Sequence, residues 1–268
     1  MTVSQSPKQL RQLTAWNALV AEVMECDQLD TLLPKLLELL SFCCHFDSWM
    51  VAVFHANAQP TIIGYKEIGD MEDTYASGPY LLDPYYDYFR NTGGSGCFPL
   101  REVAPDNFTR TEFFRSYYRS IGITDEVGYV CSINTDLAIH VSVSRFHGTP
   151  KFRKSEVAWY KSAEPIVEAA GKKLLRLSEP SSEPSEGQRT EFHAYLQNTL
   201  QGFGKSILTR REQEVTQLLL KGNSARAIGS VLGISHETVR NHMRQIYLKL
   251  RINSQVGLFT LFFKCLNG

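Results

Sequence analysis

The chain has 268 residues with 28 basic and 28 acidic side chains, so it is formally neutral, and its length suits one ordinary domain and one small one. It holds no apolar run of the ~18 residues that a transmembrane helix needs, and no basic stretch leading into an apolar core at its start, which argues against a membrane span and a secretory signal and for a cytoplasmic protein. Neutrality hides a split: from Gln201 onward ten Lys and Arg face three Glu, while residues 1–200 hold 18 basic and 25 acidic residues, so the terminal module suits a phosphate backbone and the rest repels one.

Residues 8–45 are helical in pattern, with Leu19, Val23, Leu29, Leu32, Leu33, Leu36, Leu37, Leu39 and Leu40 giving a helix pair broken near Cys26-Asp27. Strand-like runs follow at Trp49–Phe54 and Thr61–Tyr65. A polar and aromatic region extends from about Glu67 to Arg119, with helices suggested at Asp83–Asn91 and Arg110–Ser120. Two more strands are predicted at Asp125–Ile133 and Ala138–Arg145, and a long helix at Lys154–Leu177. Helices flanking an antiparallel sheet make an α+β domain over residues 1–177. The six cysteines, Cys26, Cys43, Cys44, Cys97, Cys131 and Cys265, have neither Cys-x-x-Cys nor metal spacing and read as reduced and mostly buried. Adjacent Cys43 and Cys44 lack an activating environment for a redox role.

Residues 178–205 read as a linker: Ser178-Glu-Pro-Ser-Ser-Glu-Pro-Ser-Glu-Gly187 is polar and Pro-rich, with a short helix expected from Glu191 to Leu200. Gly204-Lys205-Ser206 ends like a phosphate-binding loop, but the glycine required five residues earlier is Thr199 and no strand precedes it.

Residues 206–268 read as an all-α, four-helix module. Thr209 and Glu212 form a capping box, and Val215, Leu218 and Leu219 recur at helical spacing up to Lys221-Gly222. A second helix runs from about Ser224 to Leu232, and Gly233 suits the left-handed turn after it. Ser235 caps a third helix whose Val239, Met243, Ile246 and Leu250 form one buried stripe. Glu237, Asn241 and Arg244 lie on the far face and Arg240 on its flank. That pairing of faces fits a major groove, where Arg matches guanine and Asn matches adenine. A fourth helix, Ser254–Leu266, carries Val256, Leu258, Phe259, Leu261, Phe262 and Phe263, more apolar surface than one subunit needs.

The run Leu208-Thr-Arg-Arg-Glu-Gln-Glu-Val215, with Gly222 to His242 after it, resembles the helix-turn-helix of LuxR-type transcription regulators. The resemblance implies base-edge contacts by Arg240, Asn241 and Arg244, and phosphate contacts by Arg226, Ser235 and Thr238, which position without reading sequence. It implies double-stranded DNA as a partner, a homodimer on a palindromic operator, and RNA polymerase contact if the protein activates. The order of elements in residues 1–177, with Ala138–Phe146 and Phe152–Val157, resembles GAF- and PAS-like sensor domains and their relative, the autoinducer-binding domain. A phosphoacceptor receiver fits poorly, because the chain opens with helices.

Asp83-Pro84 is similar to the Asp-Pro of autoinducer receptors, whose Asp binds a ligand amide. The tryptophan and tyrosine that precede it there are replaced by Asp70 and Thr74, which counts against an acyl-homoserine lactone. The Tyr80–Phe89 and Phe113–Tyr129 segments bring many aromatics beside Asp83, Asp87, Asp125 and Glu126. Aromatic faces and carboxylates suit a cationic amine. Tyr80, Asp83, Tyr85, Tyr86, Tyr117, Asp125 and Tyr129 are the candidate ligand residues. Two other classes compete with a ligand-responsive regulator. One is a constitutive DNA-binding protein whose first domain dimerises or meets a protein. The other is an enzyme with a DNA-binding tail, which finds no support in any Ser-His-Asp order, metal cluster or nucleotide loop. No cofactor is implied.

Overall fold

The computed structural model describes residues 7–66, 75–111, 114–178 and 186–266. Helices α1 (Pro7–Glu25) and α2 (Leu29–Cys43) are separated at Cys26–Gln28, as the pattern predicts. Leu32, Leu36, Leu39 and Leu40, at helical spacing on α2, are buried to zero exposure.

Among the described residues five antiparallel strands follow: β1 (Ser48–His55), β2 (Thr61–Tyr65), β3 (Gly96–Pro99), β4 (Ile123–Ser132) and β5 (Leu137–Phe146). They lie in the order β2-β1-β5-β4-β3, with β5 at the centre. Between β2 and β4 the chain forms a 3-10 turn at Pro79–Leu82, helix α3 (Pro84–Thr92) and a short α4 (Leu100–Val103). Helix α5 (Lys154–Leu177) closes the domain.

Register sorts the strand residues into two faces. Trp49, Val51 and Val53 of β1 pair with Val143, Val141 and Ile139 of β5, and these in turn pair with Val127, Tyr129 and Cys131 of β4. This face is apolar and packs with α2 and α5 into one core. The other face presents Ser48 beside Ser144 and Glu126, Met50 beside Ser142 and Gly128, and Ala52 beside His140 and Val130. The aromatic region from Tyr75 to Tyr118 covers it. Arg145 fastens β5 to α5. Its guanidinium bonds Glu156 at 3.1 and 3.3 Å and donates to His45 O and Pro150 O.

Two expectations are corrected here. In place of the helix expected over Arg110–Ser120, the described residues show a 3-10 turn at Phe108–Arg110 and a single π-turn at Phe114–Tyr118. The Thr111 hydroxyl donates to Phe108 O and accepts from Phe114 N, offering the backbone a non-helical alternative. Strand β3 was not expected, because Gly-Cys-Phe-Pro is too short to show alternation. Phe113, Asp70 and Thr74 lie outside the described residues.

The expected linker holds a 17-residue helix, α6 (Glu186–Gly202), longer than the Glu191–Leu200 helix predicted, with Leu196 and Leu200 buried. The last four helices are α7 (Arg210–Leu220), α8 (Ala225–Leu232), α9 (His236–Leu250) and α10 (Gln255–Leu266). The capping box is present: Thr209 N donates to Glu212 Oε2 at 2.7 Å and Glu212 N to Thr209 Oγ1 at 3.3 Å. Gly233 is left-handed, at φ 66°.

Candidate ligand cavity and DNA-binding surface

The polar sheet face encloses a space of about 10 Å³, room for one water. Ser48, Met50, Glu126, Ser142 and Ser144 form its floor, and Tyr75, Asp83, Tyr117 and Tyr118 its cover. Asp83 caps α3. It accepts from Tyr85 N at 2.7 Å and from the Tyr75 hydroxyl at 2.5 Å. Glu126 accepts from the Tyr118 hydroxyl at 2.9 Å and from the Ser142 side chain.

Both carboxylates are buried, and none of the described lining residues is basic. Burial, and then the nearby Asp83 charge, raises the Glu126 carboxyl to about 8. Burial raises Asp83 to about 6, against the pull of its Tyr75 and backbone hydrogen bonds. His140, on the same face, stacks on Phe54 at 4.8 Å and lies 4.9 Å from the Tyr85 ring. Its Nδ1 bonds Tyr129 O at 3.0 Å, while its buried Nε2 has no partner among the described residues. Burial lowers this imidazole to about 4, so Nε2 is an acceptor at neutral pH. Gly128 permits the stack: a Cβ there would lie 2.6 Å from Tyr85 Cε1 and 2.9 Å from His140 Cε1.

Of the candidate ligand residues, the structure places Asp83 and Tyr117 on the cavity wall. Tyr85 and Tyr86 are buried but do not line it, and their hydroxyls donate to Phe98 O and His55 O. The Tyr80 hydroxyl is 2.8 Å from His193 Nδ1 of α6. Two residues sit elsewhere. Tyr129 falls on the opposite sheet face by strand parity, where its hydroxyl donates to Tyr160 O. Asp125 points away from the cavity and accepts from Phe152 N at 2.8 Å. Glu126 and Tyr118, which belong to the aromatic and acidic segments but not to the candidate residues, line the cavity, and Tyr75 and the three serines are the residues missed. The signal was the alternation His140-Val-Ser142-Val-Ser144, polar every second residue on a strand buried on both faces.

On the other module, Ser235 Oγ caps α9 by accepting from Thr238 N at 3.0 Å and lies 2.8 Å from the Thr238 hydroxyl. Val239 and Ile246 are fully buried, with Met243 and Leu250 partly so. Arg240, Asn241 and Arg244 are exposed on the outer face, and Arg226 is exposed on α8. Arg244 Nη1 donates to Asn241 Oδ1 at 2.8 Å, so this pair is held together in the absence of DNA. Lys249 bonds Glu212 at 2.7 and 2.8 Å, tying α9 to α7.

No helix among the described residues is long and apolar enough to cross a membrane. Residues 206–262 match the family described as bacterial regulatory proteins, luxR family. The chain is 28% identical over 182 residues to a putative HTH-type transcriptional regulator in the exeN 3′ region of Aeromonas salmonicida, covering 67% of this chain and 92% of that protein. It is 51% identical over 49 residues to the transcriptional regulatory protein DegU of Brevibacillus brevis, 18% of this chain and 21% of that protein. The crystal structure of the VqsR LBD domain from Pseudomonas aeruginosa shares the fold of its N-terminal part, with a TM-score of 0.55 at 24% identity over 62% of this chain and 99% of that one. The chain is a transcription regulator of LuxR type, and residues 206–262 are its helix-turn-helix DNA-binding domain.

Proposed function

We propose that this regulator binds a palindromic operator as a dimer and responds to a small protonated amine held between Asp83 and Glu126. One observation carries the ligand class: two buried carboxylates, Glu126 in the sheet floor and Asp83 in the cover, line the cavity with no basic residue among its described lining residues. Burying a carboxylate without a cation costs several kcal/mol unless it takes up a proton. Glu126, at about 8, is mostly protonated at neutral pH. A protonated amine reverses that balance: its charge ionises Glu126, a proton leaves, and its N–H groups meet acceptors that the cavity has in excess. The Tyr75, Tyr117 and Tyr118 rings supply faces suited to a cation. The likeness to the VqsR LBD domain agrees with a sensor role for residues 1–177.

In the output module Arg240, Asn241 and Arg244 read base edges, and Arg226, Ser235 and Thr238 hold phosphates. All six are exposed, as that role requires. Anything larger than an ammonium head must displace cover side chains, because the enclosed volume is only about 10 Å³. The same small volume favours a second reading, in which the first domain binds no ligand and serves dimerisation.

Thermal denaturation of the full chain with a panel of monoamines, diamines, amino alcohols and neutral acyl lactones separates these readings. An upward shift with amines that Glu126→Gln abolishes is the expected result. A shift with lactones alone overturns the amine class, and no shift with any compound favours the second reading.

A further inference from the structure

The acidic N-terminal domain grips the DNA-binding module at the corner between α7 and α8, and the grip uses groups suited to DNA phosphate. Lys221 Nζ, at the end of α7, pairs with Asp87 Oδ1 of α3 at 2.5 Å. Ser224 caps α8, the first helix of the helix-turn-helix, and both its backbone N–H (2.9 Å) and its hydroxyl (2.6 Å) donate to Asp106. Asn107 N donates to Gly222 O at 3.1 Å. Gly222 makes the approach possible. It has φ +97°, and a Cβ there would lie 2.7 Å from Thr111 Cγ2 and 3.0 Å from Phe108 Cα.

In this motif the first helix crosses the DNA backbone, and a helix N-terminus is a natural seat for a phosphate. Asp106 puts a carboxylate at that seat. Asp87 neutralises a lysine otherwise available to a second phosphate.

We propose that Asp87 and Asp106 form an autoinhibitory clamp that competes with the DNA backbone for Lys221 and the α8 N-terminus. Two short connections join the clamp to the cavity. Asp83, on the cavity wall, caps α3, and Asp87 N donates to Asp83 O one turn on at 2.9 Å. Tyr118, bonded to Glu126, contacts the Phe108 ring at 5.5 Å, and Phe108 follows Asn107 in the chain. Release of the clamp by ligand rests on the proposed amine site; the clamp itself does not.

The test is DNA affinity of the full chain, without any amine, at one fixed salt concentration. The double variant Asp87→Asn, Asp106→Asn should bind operator-bearing DNA about tenfold tighter than the unaltered chain, within the usual range of coupling between sites. A control, Glu25→Gln with Asp30→Asn, removes the same charge from α1 and α2 and should change affinity much less. Equal affinity, weaker binding, or an equal gain in the control overturns the clamp. Should the double variant fail to fold, Asp106→Asn alone is expected to give a smaller gain in the same direction, and unchanged affinity there contradicts the proposal equally. Amine binding is read separately from the thermal shift, so failure of the ligand reading leaves this outcome interpretable.

Discussion

The two faces of the central sheet are built from the same three strands, yet they obey different rules. On one face Val51, Val141 and Tyr129 lie side by side, and Val53, Ile139 and Cys131 beside them, fully or almost fully buried against α2 and α5. On the other, Ser48, Ser144 and Glu126 form a row that is just as deeply buried. A domain selected for stability alone has no use for the second arrangement, since each polar group there gives up water for at best a comparable partner. Burial by itself therefore does not identify a core. Strand parity separates the apolar residues packed against α2 and α5 from a buried polar row that costs stability.

The largest expected effect breaks the dry face. Ile139→Ala removes fully buried methyl groups and should cost ~2–5 kcal/mol in denaturant unfolding, whereas Ser142→Ala on the wet face should cost far less. Comparable losses would mean that both faces are structural. Gly128→Ala comes next, at ~1–3 kcal/mol, because its Cβ overlaps Tyr85 and His140 and the stack must shift. A similar size is expected in the output module. Arg240→Ala or Arg244→Ala should weaken operator binding by ~1–3 kcal/mol and relax preference at one base pair each. Arg226→Ala should weaken all sequences alike, and a sequence-selective loss would contradict its phosphate role.

The subtlest effect concerns pH. Glu126 has a folded value of about 8 against an ordinary value of 4.5. The folded state therefore holds this proton where the unfolded state has lost it, and the stability it contributes declines as pH rises from about 4.5 to about 8. Asp83 acts likewise only up to about 6, and His140 loses stability as pH falls from 6.5 towards 4. Between about pH 6.5 and 8 Glu126 is therefore the one of these three that titrates. Glu126→Gln should flatten the fall in melting temperature across that window, and an unchanged slope would remove Glu126 from the account.

Much of this was legible in the sequence. The Thr209/Glu212 box, the Ser235 cap and the Val239–Leu250 stripe are local signals, and local physics decides them. The cavity was legible only in part. Asp83 announced itself by its Asp-Pro sequence, but Tyr129 was assigned to the pocket because segment proximity cannot tell which way a strand residue points. Glu126 and Ser142 converge only through the β4–β5 register, a pairing that composition does not encode. The clamp was out of reach: Asp106 and Ser224 are 118 residues apart, and neither stands out in its own segment.

The most direct measurement is calorimetric titration of a small diamine into the full chain at pH 7, in two buffers of different ionisation enthalpy, for the unaltered protein and Glu126→Gln. The expected result is saturable binding whose heat differs between buffers by the release of close to one proton, and loss of both in the variant. Binding that Glu126→Gln leaves intact, or no binding at all, would contradict it.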